Sequence, residues 1–141
     1  MYSCDANNTF SNPFLDINYE ELAITDNDSI VKFLQNNYYD VSLDSIKTLV
    51  DGEISLFDDT SKLDTISVLD NGINHTLYIY SIEEGQPSPA KGNPTVMDSV
   101  FVKYSGRAFS GSDILDDNFD FNQAGIWFTL SAVVKGWKFG I

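Results

Sequence analysis

Residues 65–80 read TISVLDNGINHTLYIY, two runs of β-favouring residues on either side of Asn71-Gly72. Asn-Gly is the dipeptide favoured in two-residue hairpin turns, because both turn positions of that loop have a positive φ. In the second run Leu77 and Ile79 share one face of a strand, and Tyr78 lies on the other. The stretch therefore predicts an antiparallel hairpin as the beginning of a sheet.

The segments that follow this hairpin predict two more strands. GQPSPAKGNP (85–94) holds three prolines and two glycines and is typical of a surface loop. DSVFVKYSGRAF (98–109) predicts a strand in which Tyr104 shares a face with the valines two and four residues before it. The acidic DILDDNFDFN (113–122) is expected to form a loop, after which IWFTL (126–130) predicts a last strand.

Toward the N terminus, TDNDSIVKFLQNNYYD (25–40) predicts a helix, because apolar residues recur at helical spacing. Its apolar face is formed by Ile30, Phe33, Leu34 and Tyr38. Asp26, Asn27 and Asp28 offer side-chain oxygens for the N-cap. The next segment, VSLDSIKTLVDG (41–52), predicts a second and shorter helix that Gly52 closes.

These elements divide the chain into three parts and predict an α+β fold. Residues 1–25 are a flexible leader, residues 26–64 a helical extension, and residues 65–141 a domain built on an antiparallel sheet. A chain of 141 residues with 43% hydrophobic residues is long and apolar enough to bury a core.

The charge balance excludes one class of partner. Eight basic residues stand against 21 acidic ones, which gives a net charge of −13. A chain of that charge repels nucleic-acid backbones and anionic lipid, so we expect no nucleic-acid partner. Simple solubility is the other interpretation of the acidity.

The single cysteine, Cys4, excludes an internal disulfide framework. It lies in MYSCDANNTFSN (1–12), where a polar, asparagine-rich tether follows it. This arrangement resembles the mature start of a bacterial lipoprotein, in which Cys4 would carry the lipid anchor and place the protein in the cell envelope, at the outer membrane facing the periplasm. A surface cysteine in a flexible tail is the alternative interpretation.

No catalytic triad or metal site is predicted from the residue pattern, and no cofactor is expected. His75 is the only histidine and is placed in a strand beside a turn. The acidic segment spaces oxygen-bearing residues as a calcium loop would, at Asp116, Asn118, Asp120 and Asn122. Phe121 stands where such a loop has glycine and Trp127 where it has glutamate, so an acidic loop without calcium is the better interpretation.

From Leu77 to Ile141 the chain resembles the first half of an FKBP-type peptidyl-prolyl cis–trans isomerase domain. Four pieces carry the resemblance in the family's order: YIYSIEEGQPSPAKGN, VFVKYSGRAFSG, WFTLSAVVKGW and GWKFGI. The resemblance implies an antiparallel half-barrel sheet, with the Gly-Trp segment beginning a short helix in mid-domain. It also implies that further strands close the domain, so we expect the chain to continue past Ile141 or a partner to supply that wall.

The resemblance assigns roles to particular residues. Tyr104 corresponds to the pocket tyrosine and Trp137 to the pocket floor. Val133 and Val134 correspond to the family's Val-Ile pair, in which the backbone N–H of the second residue binds a substrate carbonyl. Phe128 corresponds to a buried aromatic residue of the pocket.

Two assignments depart from the family pattern. Without a gap, the family's Phe-Asp pair falls on Ile114-Leu115 and the carboxylate is lost. With a shift of one residue it falls on Leu115-Asp116, which keeps the carboxylate, and we prefer this alignment. A further aromatic wall falls on Ile126 or on Trp127, depending on register.

Rotation about an X-Pro bond has a barrier of about 20 kcal/mol, because amide resonance is lost in the twisted transition state. An apolar pocket favours the twisted amide, which carries less charge separation, so no nucleophile is required. The expected function is isomerisation of proline-containing polypeptides during folding of exported proteins. The alternative is a non-catalytic FKBP-like subunit that scaffolds a larger envelope complex.

Overall fold

The computed structural model describes residues 17–86, 89, 92–110 and 114–141, with the backbone alone at residue 110 and over 114–121. Along these residues a helix precedes antiparallel strand pairs, which confirms the α+β class. The elements are α1 Tyr19–Asn36, β1 Asn37–Asp40, β2 Ser45–Thr48, β3 Leu63–Asp70, β4 Ile73–Tyr80, β5 Ser99–Ser110, β6 Ile114–Thr129, a 3₁₀ turn Leu130–Ala132 and α2 Lys135–Gly140.

Helix α1 begins earlier than the sequence pattern predicted. Its N-cap is Asn18, whose side-chain oxygen accepts a hydrogen bond from the N–H of Glu21 at 3.2 Å. Glutamates in the first turn also interact favourably with the positive end of the helix dipole. The predicted cap at residues 26–28 is therefore wrong, and the predicted leader, residues 1–25, includes the first turns of α1.

The end of α1 leads directly into a strand. The side-chain amide of Asn37 donates to the C=O of Phe33 at 2.7 Å and so satisfies a carbonyl of the last helical turn. Leu34 is the buried residue of the helix, 7% exposed. Tyr38, predicted on the same helical face, lies instead in β1.

The second predicted helix, residues 41–52, is wrong, because β1 and β2 form an antiparallel hairpin there. The carboxylate of Asp40 accepts the N–H groups of Ser42 and Leu43 at 2.9 and 3.2 Å and stabilises the turn. The apolar residues that suggested a helix are not on a buried face, since Leu43 is 62% exposed and Ile46 is 50% exposed.

The hairpin predicted around Asn71-Gly72 is confirmed by the pairing of β3 with β4. Asn71 has φ 51° and Gly72 has φ 84°, so both turn residues occupy the left-handed region that a two-residue hairpin loop requires. His75 lies exposed in β4, opposite Val68.

Strand β5 confirms the strand predicted over residues 98–109, but its partner β6 is longer than expected. The acidic segment 113–122 was predicted to be a loop, and from Ile114 onward it is part of β6. Its alternation of polar residues with Phe119 and Phe121 has the period of a strand, which the density of acidic residues obscured.

The described core is small. Its buried apolar side chains belong to Leu34, Leu56, Val68 and Leu130. The strands of the described ranges form three separate two-stranded sheets. No helix among the described residues is long and apolar enough to cross a membrane.

Candidate functional site

A pocket of about 490 Å³ lies between the β5–β6 hairpin and the C-terminal segment. The residues around it are mostly apolar: Tyr104, Gly106, Arg107, Ala108, Phe128, Ala132, Val133, Val134 and Trp137. Volumes of 300 to about 1,000 Å³ with apolar lining are usual for small-ligand sites. The pocket is therefore large enough for a proline ring and the peptide on either side of it.

Three aromatic rings contact one another in the wall of this pocket. The indole of Trp137 packs edge-on against Tyr104 and Phe128, with ring centroids 5.3 and 5.4 Å apart and interplanar angles of 80° and 82°. Tyr104 and Phe128 lie 6.0 Å apart. Edge-to-face contacts at these distances are favourable, so each ring helps to fix the orientation of the other two.

Helix α2 positions the indole. The helix packs on β4, where an added Cβ at Gly136 or Gly140 would lie 3.7 or 3.8 Å from the nearest side-chain carbon of Leu77 or Ile79. The Lys135 ammonium donates to the carboxylate of Asp70 beside the β3–β4 turn. That contact lowers the pKa of Asp70 and ties α2 to the hairpin.

Val134 stands at the start of α2, in an extended conformation with φ −57° and ψ 148°. Its carbonyl accepts the N–H of Trp137 at 3.0 Å. Its own N–H has no hydrogen-bond partner among the described residues, and the residue is 71% exposed. Because Val134 also lines the pocket, its N–H is a candidate donor there.

The strand period explains the space in front of the rings. Residues 104, 106 and 108 of β5 share one face, because side chains alternate along a strand. Small residues at Gly106 and Ala108 leave room where larger side chains would fill the pocket. Sequence reasoning did not identify these positions, although small residues at alternate positions after Tyr104 are a recognisable signal.

Five predicted site residues line the pocket together: Tyr104, Phe128, Val133, Val134 and Trp137. Ile126 is not among the lining residues and is 39% exposed, opposite Val102. Trp127, the alternative position for the family's aromatic wall, lies on the face of β6 opposite Phe128, where its ring centroid is 5.5 Å from that of Phe101.

The remaining predicted residues cannot be placed in the site. The backbone of Leu115 pairs with Phe109, and Asp116 follows it in β6, but their side chains lie outside the described part of the structure. Cys4 and the rest of the chain up to residue 16 also lie outside the described residues.

Ionisable groups with shifted pKa values lie mainly in a second cluster, away from the pocket. The hydroxyl of Tyr80 donates to Asp59 at 2.7 Å. Burial and this hydrogen bond raise the pKa of Tyr80 to about 12. Hydrogen bonds from Ser61 and Tyr80 lower the pKa of Asp59, and the Lys62 ammonium lies 5.8 Å from the ring centroid of Tyr39.

The described residues contain no group of three or more His, Cys, Asp or Glu side chains that could hold a metal ion. Asn122, considered above as a calcium ligand, accepts the N–H of Gly125 at 3.0 Å. Comparisons with protein-family models, with curated proteins and with solved structures found no match to this chain. The functional argument therefore rests on the pocket itself.

Proposed function

We propose that the chain is an FKBP-like half-barrel that binds proline-containing polypeptides and catalyses cis–trans isomerisation of X-Pro bonds, as a folding helper for exported proteins. The observation that carries the proposal is the apolar pocket of about 490 Å³ walled by Tyr104, Phe128 and Trp137. Aromatic rings provide a large, rigid apolar surface against which a pyrrolidine ring can pack.

The chemistry needs binding energy rather than acid–base groups. The twisted amide has lost resonance and carries less charge separation than the planar amide, so transfer into an apolar pocket costs it less. The N–H of Val134, which has no partner in the described part of the chain, supplies a donor for a substrate carbonyl and holds the peptide on one side of the rotating bond. Selective binding of the twisted form lowers the barrier.

The second candidate function is a non-catalytic FKBP-like subunit that binds and scaffolds a larger envelope complex. The described residues around the pocket include no carboxylate. The family's Phe-Asp pair also lacks its aromatic ring here, since its preferred counterpart is Leu115-Asp116. A pocket of this kind would still hold a proline-containing segment without accelerating its isomerisation.

The envelope location is part of the proposal and depends on Cys4. A lipid-modified Cys4 would anchor the chain to the outer membrane through its polar leader. Intact-mass measurement of the protein isolated from its native membranes tests this directly. We expect a mass that includes acyl chains on Cys4, and the mass of an unmodified chain would contradict the anchor.

A protease-free isomerisation assay on a proline tetrapeptide tests the function. We expect acceleration by the intact chain and a loss of about tenfold or more in Trp137→Ala, because the substitution removes the apolar surface under the proline ring and the two ring contacts that orient Tyr104 and Phe128. Trp127→Ala is the matched control, since that indole is 67% exposed on the opposite face of β6.

The outcomes separate the two candidates. Binding of the tetrapeptide without acceleration, lost in Trp137→Ala, would favour the scaffold function. Neither binding nor acceleration, or equal effects of the two tryptophan substitutions, would contradict both.

A further inference from the structure

The β3–β4 turn contains the one Asn-Gly pair of the chain. The sequence has 12 asparagines, and Asn71 alone precedes a glycine. The side-chain amide of an asparagine can react with the backbone nitrogen of the next residue, and a Cβ on that residue hinders the approach. Gly72 has no Cβ, so its nitrogen can approach the Asn71 side chain closely.

The turn also leaves this nitrogen accessible. Asn71 and Gly72 are both exposed to solvent. The antiparallel ladder closes at the pair Asp70–Ile73, so neither turn residue belongs to it. Among the described residues, the N–H of Gly72 has no hydrogen-bond partner. The nitrogen of Gly72 therefore does not have to break a hydrogen bond within the protein before it reacts.

Asn74, in the same hairpin, provides a contrast. It is also exposed, but the next residue is His75, which has a side chain. The N–H of Ser81 donates to the C=O of Lys62, and hydrogen-bonded pairs alternate with non-hydrogen-bonded ones along the ladder. By this alternation Val68 and His75 are a hydrogen-bonded pair. The nitrogen that follows Asn74 is therefore both hindered and hydrogen-bonded.

We infer that Asn71 is a site of spontaneous modification, at which the side-chain amide is converted to a carboxylate through a cyclic imide with Gly72. The nitrogen of Gly72 bonds to the side-chain carbonyl carbon of Asn71. The bond from that carbon to the amide nitrogen breaks, and the amide nitrogen takes the Gly72 proton and leaves as ammonia.

Water then opens the imide at one of its two carbonyl carbons. Attack at the side-chain carbonyl gives aspartate, and attack at the main-chain carbonyl gives isoaspartate, in which the chain runs through the former side chain. Water is the only co-reactant, and no electrons are transferred to or from the protein. The inference does not depend on the proposed isomerase function, because the reaction needs only the turn and solvent.

The isoaspartate product lengthens the main chain of the turn by one carbon atom. The two-residue loop closes the pair Asp70–Ile73 because both loop residues have a positive φ. An extra atom in this loop disturbs that closing pair. The Asp70 carboxylate also accepts the Lys135 ammonium, which ties α2 to the hairpin. Conversion of Asn71 therefore loosens the end of the hairpin at the residue that anchors α2.

Incubation of the intact chain for several days at mildly alkaline pH, followed by peptide mass spectrometry, tests the inference. We expect a mass increase of about 1 Da, which fragmentation assigns to Asn71. Conversion of Asn74 should be slower by about tenfold or more, because the nitrogen of His75 is hindered and hydrogen-bonded. A sample at mildly acidic pH should convert more slowly, because the attack requires the deprotonated nitrogen.

Asn71→Gly is the matched variant, because Gly-Gly also suits this loop and has no amide side chain to convert. Its mass should not change at this site. In the converted wild-type chain, amide exchange at Ile73 should be faster by about fivefold or more, whereas incubation should not change it in Asn71→Gly.

Two results would overturn the assignment of the site. One is no conversion of Asn71 under conditions in which a synthetic peptide of residues 68–75 converts. The other is conversion of Asn74 as fast as that of Asn71. Unchanged exchange at Ile73 in the converted chain would overturn the effect on the hairpin.

Discussion

Replacement of Val134 by proline tests whether the backbone N–H of Val134 binds substrate, without lowering the stability of the folded chain. Proline removes the backbone N–H, which has no partner among the described residues. Its ring fixes φ near −65°, and Val134 already has φ −57°. The preceding residue, Val133, has φ −98° and ψ 169°, an extended conformation that proline tolerates before it.

The substitution should lower kcat/KM but should not lower the free energy of unfolding. One hydrogen bond to a substrate carbonyl contributes about 0.5–1.5 kcal/mol, so kcat/KM for a proline tetrapeptide should fall by roughly two- to thirteenfold. A compatible proline restricts the unfolded chain, so the free energy of unfolding should stay constant or rise by about 0.4–1 kcal/mol.

Val134→Ala is the control, because it shortens the exposed side chain but keeps the N–H. Isomerisation assays and urea unfolding of both variants check the prediction. Unchanged kcat/KM in Val134→Pro, or an equal loss in Val134→Ala, would refute the role of the N–H. A lower free energy of unfolding in Val134→Pro would refute the conformational argument.

Two further predictions concern stability. Gly125→Ala should lower the free energy of unfolding by about 1–3 kcal/mol, because Gly125 has φ 90° and an added Cβ would lie 2.4 Å from the Phe101 ring. Urea unfolding measures this change, and Gly85→Ala is the control, because its added Cβ would meet open space and should change little. Equal effects of the two substitutions would contradict the prediction. Between about pH 10 and 12, unfolding should become easier, because the unfolded chain loses the tyrosine proton near pH 10 while the raised pKa of Tyr80, about 12, retains it in the folded chain. Tyr80→Phe should lose less stability over that range, and an equal loss would count against the role of Tyr80.

Local turn chemistry made one part of the fold predictable. The β3–β4 hairpin follows from Asn71-Gly72, because few other dipeptides adopt two successive positive φ values without strain. Strand β5 was equally predictable from the sequence, since its apolar residues alternate with the period of a strand.

Other segments were mispredicted because their local pattern suits more than one structure. Residues 41–52 contain apolar residues at helical spacing, but Asp40 supplies turn hydrogen bonds that favour a hairpin. The acidic composition at the start of β6 suggests a loop, although pairing with β5 satisfies the backbone of this segment.

The candidate site shows a similar division. The family resemblance predicted the roles of Tyr104 and Trp137, and the structure brings these residues together at 5.3 Å. It did not predict the space beside them, because the resemblance gave Gly106 and Ala108 no role in the pocket. The place of Ile126 depends on the register of β6 past Asn122 and Gly125, which the order of residues does not fix.

The sequence by itself determined which segments form the β3–β4 and β5 strands, the apolar character of the C-terminal segment and the negative charge of the chain. These properties depend on neighbours a few residues apart. Only the tertiary structure decided that α2 lies on β4, that three distant rings wall one pocket, and that a groove separates β4 from β5. Such arrangements depend on contacts between residues far apart in the chain, whose energies no local pattern specifies.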